Sequence, residues 1–522
     1  MKLLQSTLAV LLLLGTFCLS AQYTFQTRIN KVNLAEVVET PGGDFTAAGW
    51  NFGEHDFDLG YALDQGIVLV KTNNLGDTLW SSIFSVNGPP RYSRAEAIAL
   101  ASDGGYLIGG GCYYCPDYKQ NTLLIRTDEN GDTLWTRLVG GEYIDMIRSI
   151  CRTTNEEYIV VGETLSFGDS IFGMYIYKMN DIGDLIWSKK ITSTFAAQGN
   201  AVIQNLNGKF VITGTVNYGS EDSDILLASI NEQGELLWTK SFGGNDYEVG
   251  YDICTSHEGG YAITGGTASI GSGSTDVSLI VTDSLGNFLW SKNYGSLLGE
   301  QGYSISKTND GGYILGCNTS SFNDPIGDYY ILKTDREGNL LWSKIFAENE
   351  SGVAFDIINT SDSAFLTAGQ QYEFMKLSNN GTAGCEGTPV NAIQMNIPIG
   401  IKTNLFNIQD VNSVVTIPDL RILKGLKDID KCFTSSTTNS KYLETLMELR
   451  SNIIYSTVEV SFMNSIPEKI SIFDVNGRVV SKAILNHGSL LQTIDASNLP
   501  AGIYFLAATL EEGVITKKFV KL

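Results

Sequence analysis

The sequence predicts an all-β fold, a seven-bladed β-propeller of four-stranded antiparallel blades followed by a small C-terminal β-sandwich, and three observations predict it. A tryptophan recurs at Trp80, Trp135, Trp187, Trp238, Trp290 and Trp342, 51 to 55 residues apart. A glycine stands four residues before each one, in KTNNLGDTLW, RTDENGDTLW, KMNDIGDLIW, SINEQGELLW, VTDSLGNFLW and KTDREGNLLW. An apolar run opening on an aromatic recurs in step with them, at Phe45, Tyr106, Tyr158, Phe210, Tyr261, Tyr313 and Phe365. A period near 50 built from short apolar runs and glycine turns marks a radial β-array.

Each element follows from local chemistry. The glycine closing each Asp/Asn-rich turn supplies the left-handed residue of a type I turn with a bulge, so each copy reads as a hairpin. Seven aromatic anchors are followed by only six Trp strands, because the seventh unit runs EFMKLSNNGTAGC and lacks its Trp. Trp342 precedes Phe365 by 23 residues, and counting 23 back from Phe45 reaches Gln22, at the head of YTFQTRI (23–29). The N-terminal strand is therefore predicted to complete the last blade and close a propeller spanning 22–385. The repeated Trp and the anchor aromatics read as packing between blades.

In an antiparallel meander the turns alternate between two faces. The tight glycine turns fall on one. The other receives the longer connections 50–65, 111–121, 163–173, 215–224, 266–277 and 318–328, with 139–146, 243–250 and 294–302 between blades. Variable loops on a rigid scaffold are where binding resides, so that face is the candidate functional surface.

At the N-terminus, Met1-Lys2, an apolar run from Leu8 to Leu14 and small residues up to Ala21 read as a secretory signal peptide, residues 1–21. Phe17 precedes Cys18 where a lipid-anchored protein would have a small residue, which disfavours an anchor. No later stretch has the apolar length of a transmembrane segment. The 35 basic against 57 acidic residues give a net charge of −22, which opposes binding to phosphate backbones, so nucleic acid is excluded as a partner.

Residues 386–433 read as a connecting β segment without a repeat, bracketed by Cys385 and Cys432, which either pair or stay reduced. TSSTTNS (434–440) is a polar linker. Short strands then follow at 456–462, 469–475, 478–485, 502–510 and 514–522. In this part ISIFDVNGRVV (470–480), IDASNLPAGIYFLAA (494–508) and the basic end KKFVKL (517–522) occur in order. It resembles the type A sorting domain of the type IX secretion system of Bacteroidetes. RSNIIYSTVEV stands where that family usually opens with a Tyr-Pro-Asn-Pro-like segment. The resemblance implies that residues 441–522 engage the type IX machinery and carry the chain across the outer membrane to be released or attached at the surface. The propeller units resemble the Trp-motif repeats of quinoprotein-like propellers. The vicinal cysteines of those enzymes are absent, so the likeness is architectural and implies no cofactor.

Other motifs have structural readings. GGDF (42–45) occupies the slot of GGY at 104–106 and 311–313. Cys112 and Cys115 have the spacing of a redox or zinc pair, but read as a loop disulfide or two core thiols. Cys151 and Cys254 occupy an isoleucine slot and read as small buried hydrophobes. The DxNGD run at 128–132 lacks the distal Glu of a calcium loop and reads as turn chemistry.

On the variable face, Trp50, Tyr113, Tyr114, Tyr118, Tyr218, Tyr247 and Phe322 stand among acids, a composition suited to sugar stacking and to protein contact alike. Asp145, Glu248 and Glu300 each lie 13 residues before their anchor Tyr and are the weak candidates for a metal site. The favoured reading is a secreted or surface protein that binds an extracellular glycan or protein. The alternative is a carbohydrate-active hydrolase or lyase using loop carboxylates, which needs only two acids at a suitable separation.

Overall fold

Main-chain pairing gathers the repeats into seven antiparallel-paired sheets of five strands each, a propeller-like, all-β arrangement. The computed structural model describes residues 24–434 apart from positions 30–31, 52–53, 57–60, 64, 87–91, 114–119, 169, 218, 221, 272, 323–326, 347–351, 371–373, 384–387, 396–399, 403–405, 418–419 and 425–427. Beyond 440 it describes 447–449, 453–454, 456–462, 469–473, 479–482, 491–510 and 513–521. Among the described residues there is no helix. The chain divides into two compact units, Met1–Phe433 and Thr434–Leu522.

In the first unit the innermost strands are Val32–Glu39, Tyr92–Leu100, Asp145–Arg152, Ala197–Gln204, Glu248–Thr255, Glu300–Lys307 and Val353–Asn359, which number the sheets 1 to 7. Each touches the innermost strand of the next sheet, and that of sheet 7 touches that of sheet 1. In sheets 1 to 6 the next three strands follow in sequence, ending on the Trp strand. Sheet 7 takes only Phe365–Gln370 and Phe374–Leu377 from its own repeat, and its fourth strand is Thr24–Ile29 from the N-terminus.

Phe25 is the residue in the Trp slot of sheet 7. It pairs with Lys376 as Trp80 pairs with Lys71, Trp135 with Arg126 and Trp342 with Lys333. The count that placed position 22 in this slot is three residues out, because Phe25 precedes Phe45 by 20 residues rather than 23. The strands ending at Ile29 and starting at Val32 leave too short a connection for the usual spacing.

Each Trp lies against the turn glycine of the following sheet. A Cβ at Gly131, whose φ is +77°, would lie 2.7 Å from the Trp80 ring, so both backbone and packing require glycine there. The same contact joins Gly76 to Phe25, across the meeting point of sheets 7 and 1. Indole donors add to it, with Trp135 Nε1 giving a hydrogen bond to the Asp181 carbonyl at 2.8 Å and Trp187 Nε1 to that of Glu232 at 3.1 Å. Buried cations sit beside them: Arg126 pairs with Asp103 at 2.9 Å and Asp181 at 3.0 Å, and Lys178 with Glu157 and Glu232, both at 2.6 Å.

The segment after residue 385 is not a simple connection. It runs around the first unit in reverse order and lays a fifth strand on the outer edge of every sheet. Thr388–Pro389 joins sheet 6, Ile393–Met395 sheet 5, Gly400–Lys402 sheet 4, Asn407–Asp410 sheet 3, Val414–Thr416 sheet 2, Leu420–Lys424 sheet 1 and Asp428–Thr434 sheet 7. The expectation of four strands per sheet is corrected to five by this belt. Side chains pin it at intervals: Ser343 Oγ donates to the Val390 carbonyl and Ser188 Oγ to that of Val411, both at 2.6 Å. Lys402 Nζ reaches Asp222 at 2.6 Å and Asp224 at 2.9 Å. Unpaired sheet edges invite association, and the belt covers all seven.

Cys112 is disulfide-bonded. Cys115 and Cys385 lie outside the described residues, as does the side chain of Cys432. Cys151, Cys254 and Cys317 are free thiols, and burial pushes the Cys151 thiol up to about 11 and raises the other two. Protonated thiols in these positions pack as small hydrophobes.

The second unit has a three-stranded sheet of Met447–Leu449, Thr457–Phe462 and Leu491–Asp495. A five-stranded one holds Ile453–Ile454, Gly513–Lys521, Gly502–Leu510, Lys469–Phe473 and Val479–Lys482. One core draws on both, with Val458, Val460 and Ile494 meeting Ile470, Ile472, Leu506 and Phe519. The LPAG stretch turns the chain into its long strand, and Tyr504 Oη donates back to the Pro500 carbonyl at 2.9 Å. Asp495 Oδ1 accepts the Ser497 amide at 2.9 Å and holds the preceding turn.

Candidate functional site

Every innermost strand slips register once against its neighbour, and the slip falls at the same place in all seven. The bulged residues are Ala35, Glu96, Arg148, Asn200, Tyr251, Tyr303 and Phe355. A bulge re-aims a side chain. All seven line one cavity of about 420 Å³, within the range of small-molecule sites.

The cavity wall is divided by chemistry. Along one arc Tyr251 packs on Tyr303 with ring centroids 4.9 Å apart, Tyr303 on Phe355 at 5.9 Å, and Phe355 on Trp50 at 5.9 Å. Tyr247 joins them in the lining. The Arg94 guanidinium lies over the Trp50 ring at 3.8 Å and opens the polar arc. There Arg148 pairs with Glu163 at 3.2 Å and approaches Glu96 at 3.9 Å, and Gln198 Nε2 donates to Glu163 at 3.2 Å. Burial presses the Arg148 guanidinium towards a lower pKa, but Glu96 and Glu163 outweigh it and hold the charge firmly on.

One residue beyond each bulge stand Glu36, Ala97, Ser149, Ala201, Asp252, Ser304 and Asp356. Those with an oxygen staple neighbouring sheets by accepting a main-chain amide from the next one. Glu36 takes Ile98 N at 2.7 Å, Ser149 takes Val202 N at 3.4 Å, Asp252 takes Ile305 N at 2.8 Å, Ser304 takes Ile357 N at 3.2 Å and Asp356 takes Val37 N at 2.9 Å. Burial raises the three carboxyls: Asp252 to about 7, Asp356 upwards, and Glu36 well upwards with help from the Asp356 charge.

The structure separates the sequence-predicted residues into groups. Trp50 and Tyr247 line the cavity. Tyr113 stacks on Tyr92 with centroids 4.3 Å apart and is raised in pKa, first by burial and then by Glu96. Phe322 packs inwards against Tyr330 at 5.9 Å, with Val390 and Ala392 of the belt in the same cluster, and is a core residue rather than a free platform. Tyr114, Tyr118 and Tyr218 lie outside the described residues.

Asp145, Glu248 and Glu300 are fully buried, one per sheet, and the structure does not bring them together as a site. Each closes its own pair of loops instead. Asp145 accepts Gly141 N at 2.7 Å and Ser166 Oγ at 3.1 Å, as well as Thr164 Oγ1. Glu248 accepts Gly244 N at 2.7 Å and Thr267 Oγ1 at 2.7 Å, and Glu300 accepts Ser296 N at 2.9 Å and Thr319 Oγ1 at 2.8 Å. A carboxylate thus occupied by amides and hydroxyls is a loop clamp. Among the described residues no group of three His, Cys, Asp or Glu side chains is placed to hold a metal ion.

The second unit settles where the protein goes. Residues 454–522 match the family described as the secretion system C-terminal sorting domain. The protein is exported, to the cell surface or beyond. Its partner through this domain is the type IX secretion machinery. Among the described residues no helix is long and apolar enough to cross a membrane. A comparison with curated protein sequences finds no match. Similar solved structures include Sqt1 from Chaetomium thermophilum, 11% identical, covering 72% of this chain and 90% of that one at a TM-score of 0.39. A protein of unknown function from Dyadobacter fermentans is 9% identical over 72% of this chain and 98% of that one, TM-score 0.39. PorZ, a surface component of the type IX secretion system of Porphyromonas gingivalis, is 8% identical over 95% of this chain and all of that one, TM-score 0.33. Likenesses this distant specify neither activity nor ligand.

Proposed function

We propose that this protein is an exported binding module: a closed seven-bladed propeller over residues 22–385, laced by the belt of 386–433. A signal peptide (1–21) precedes it, and a linker (434–440) joins it to a sorting β-sandwich (441–522). Its ligand is an extracellular glycan or a protein segment that enters the central cavity from the variable-loop face. The observation that carries the reading is the division of that cavity, with five aromatic rings on one arc and Arg94, Glu96, Arg148 and Asn200 on the other. Aromatic faces stack on sugar rings or side chains, and the polar arc supplies directed hydrogen bonds.

A hydrolase or lyase is the second reading, and one observation favours it. Asp252 and Asp356 both touch Ser304 Oγ, at 3.0 and 2.8 Å, so these two oxygens are no more than about 5.8 Å apart, close to the roughly 5–5.5 Å spacing of a retaining glycosidase's carboxyls. The Ile305 amide occupies the same Asp252 oxygen as Ser304, and the Val37 amide occupies the other oxygen of Asp356, which leaves both carboxyls poorly free to act on a substrate.

The test is a glycan-array and polysaccharide screen of the 22–434 fragment with reducing-end release followed in the same wells. Binding without release is expected, with Tyr303→Ala and Arg148→Ala each weakening it about tenfold, or ~1.4 kcal/mol. Release that Asp252→Asn abolishes would replace the binding reading with the enzymatic one. Loss of residues 441–522 is expected to leave the protein in the periplasm, as read by cell fractionation. Unchanged surface or medium levels would remove the sorting role.

A further inference from the structure

Where the last sheets meet the first, three acids and one hydroxyl share the cavity wall in an arrangement that ligand binding does not require. Ser304 Oγ lies 3.0 Å from Asp252 Oδ2 and 2.8 Å from Asp356 Oδ1, and it accepts the Ile357 amide at 3.2 Å. A hydroxyl has one hydrogen. It can donate to one carboxylate only, and the second contact is a hydrogen bond only if that carboxyl carries a proton and donates to Ser304 Oγ. One proton on the pair then satisfies every atom: the hydroxyl gives one bond and accepts two. With no proton, an ionised oxygen faces the serine lone pairs at hydrogen-bonding distance. The two acids belong to sheets 5 and 7, and Asp356 reaches on to Val37 of sheet 1.

We propose that Asp252 and Asp356 hold one proton between them in mildly acidic solution, shared through Ser304, and that this proton latches the junction of the last sheets with the first. The surrounding charges fit. Glu36 of sheet 1 adds a third acid to the cavity wall, and burial raises the Cys151 and Cys254 thiols, which add no charge. Glu96 stands across the cavity on sheet 2, and burial raises the Tyr251 and Tyr303 hydroxyls. The cations in the lining, Arg94 and Arg148, are drawn to Glu96 and Glu163. Burial raises Asp252 to about 7 and Asp356 in the same direction. The sign follows. Between the ordinary carboxyl range near pH 4 and about pH 7 the folded chain holds a proton that the unfolded chain has lost, so stability falls as pH rises through that window and levels off above it.

Infrared difference spectroscopy of the intact mature protein, with carbonyl-labelled aspartate, reads the proton directly. A protonated Asp carboxyl band is expected to persist at about pH 6 and to fade near pH 7. Absence of that band above about pH 5 would overturn the proposal without any variant. In parallel, the melting temperature should fall by about 5 °C between pH 5 and pH 8, and Asp252→Asn or Asp356→Asn should flatten that slope. Variants that keep the wild-type slope would also overturn it. Ligand affinity enters neither readout, so the latch stands or falls apart from the binding function.

Discussion

Ending the chain at residue 385 is expected to turn a monomer into an aggregating species, while ending it at 434 leaves a soluble, cooperatively folding one. Both chains lack the sorting unit, and they differ only by the belt. Without it, the outer strand of each of the seven sheets becomes an unpaired edge. Six of those strands also carry an exposed aliphatic beside the Trp, at Leu79, Leu134, Ile186, Leu237, Leu289 and Leu341, with 42 to 56% of each accessible. A strand with free amides and carbonyls and an apolar side chain in the open is a template for pairing with another copy. The belt supplies the missing hydrogen bonds at about 1 kcal/mol each, and it removes the template as well. Size-exclusion chromatography with light scattering separates the outcomes. A monodisperse 22–385 fragment with an unchanged melting temperature would mean that the belt is decorative.

The belt also shows where sequence reasoning stops. The sheets were legible because their strands carry side-chain information: an aromatic anchor, a glycine turn and a Trp at fixed spacing, each packing against a neighbour. The belt strands are two to seven residues long and hold on mainly by main-chain bonds and a few serines from the sheets they join. Edge pairing of that kind tolerates almost any sequence, so Thr388-Pro389 and Ile393–Met395 leave no periodic trace.

The site was partly legible. Trp50 and Tyr247 could be found as aromatics at the mouths of long connections. The column 13 residues before the anchors drew attention to Asp145, Glu248 and Glu300, yet their carboxylates are consumed by loop amides and hydroxyls. The informative column was three places on. Ala35, Glu96, Arg148, Asn200, Tyr251, Tyr303 and Phe355 each stand 10 residues before their anchor, and counting alone would have aligned them. What counting does not reveal is the bulge, which turns this one position from the sheet face into the cavity.

Phe25→Ala is expected to lower the melting temperature of the mature protein by about 10 °C, an effect larger than any single side chain of the cavity should have. Phe25 is fully buried, packs on Phe45 with centroids 6.3 Å apart and lies against Gly76 of the first sheet, where the other sheets place a Trp against a glycine. Truncation leaves a cavity at the one junction that joins the two ends of the repeat array, at about 3 to 5 kcal/mol. Phe25→Trp tests whether the slot or only its volume matters. The larger ring occupies this position in six other copies, so the variant should fall within about 1 kcal/mol of the parent, much less than overpacking of an unrelated core site would cost. Deleting residues 23–29 goes further. It takes away the strand between Phe374–Leu377 and Asp428–Thr434, so sheet 7 loses its fourth strand and the belt loses its final anchor. Seven sheets whose innermost strands touch in a cycle unfold together if the cycle is what holds them, and circular dichroism melts should then lose their single sharp transition. A deletion variant that melts where the parent does would show that the other six junctions suffice and that the N-terminal strand merely decorates the last sheet.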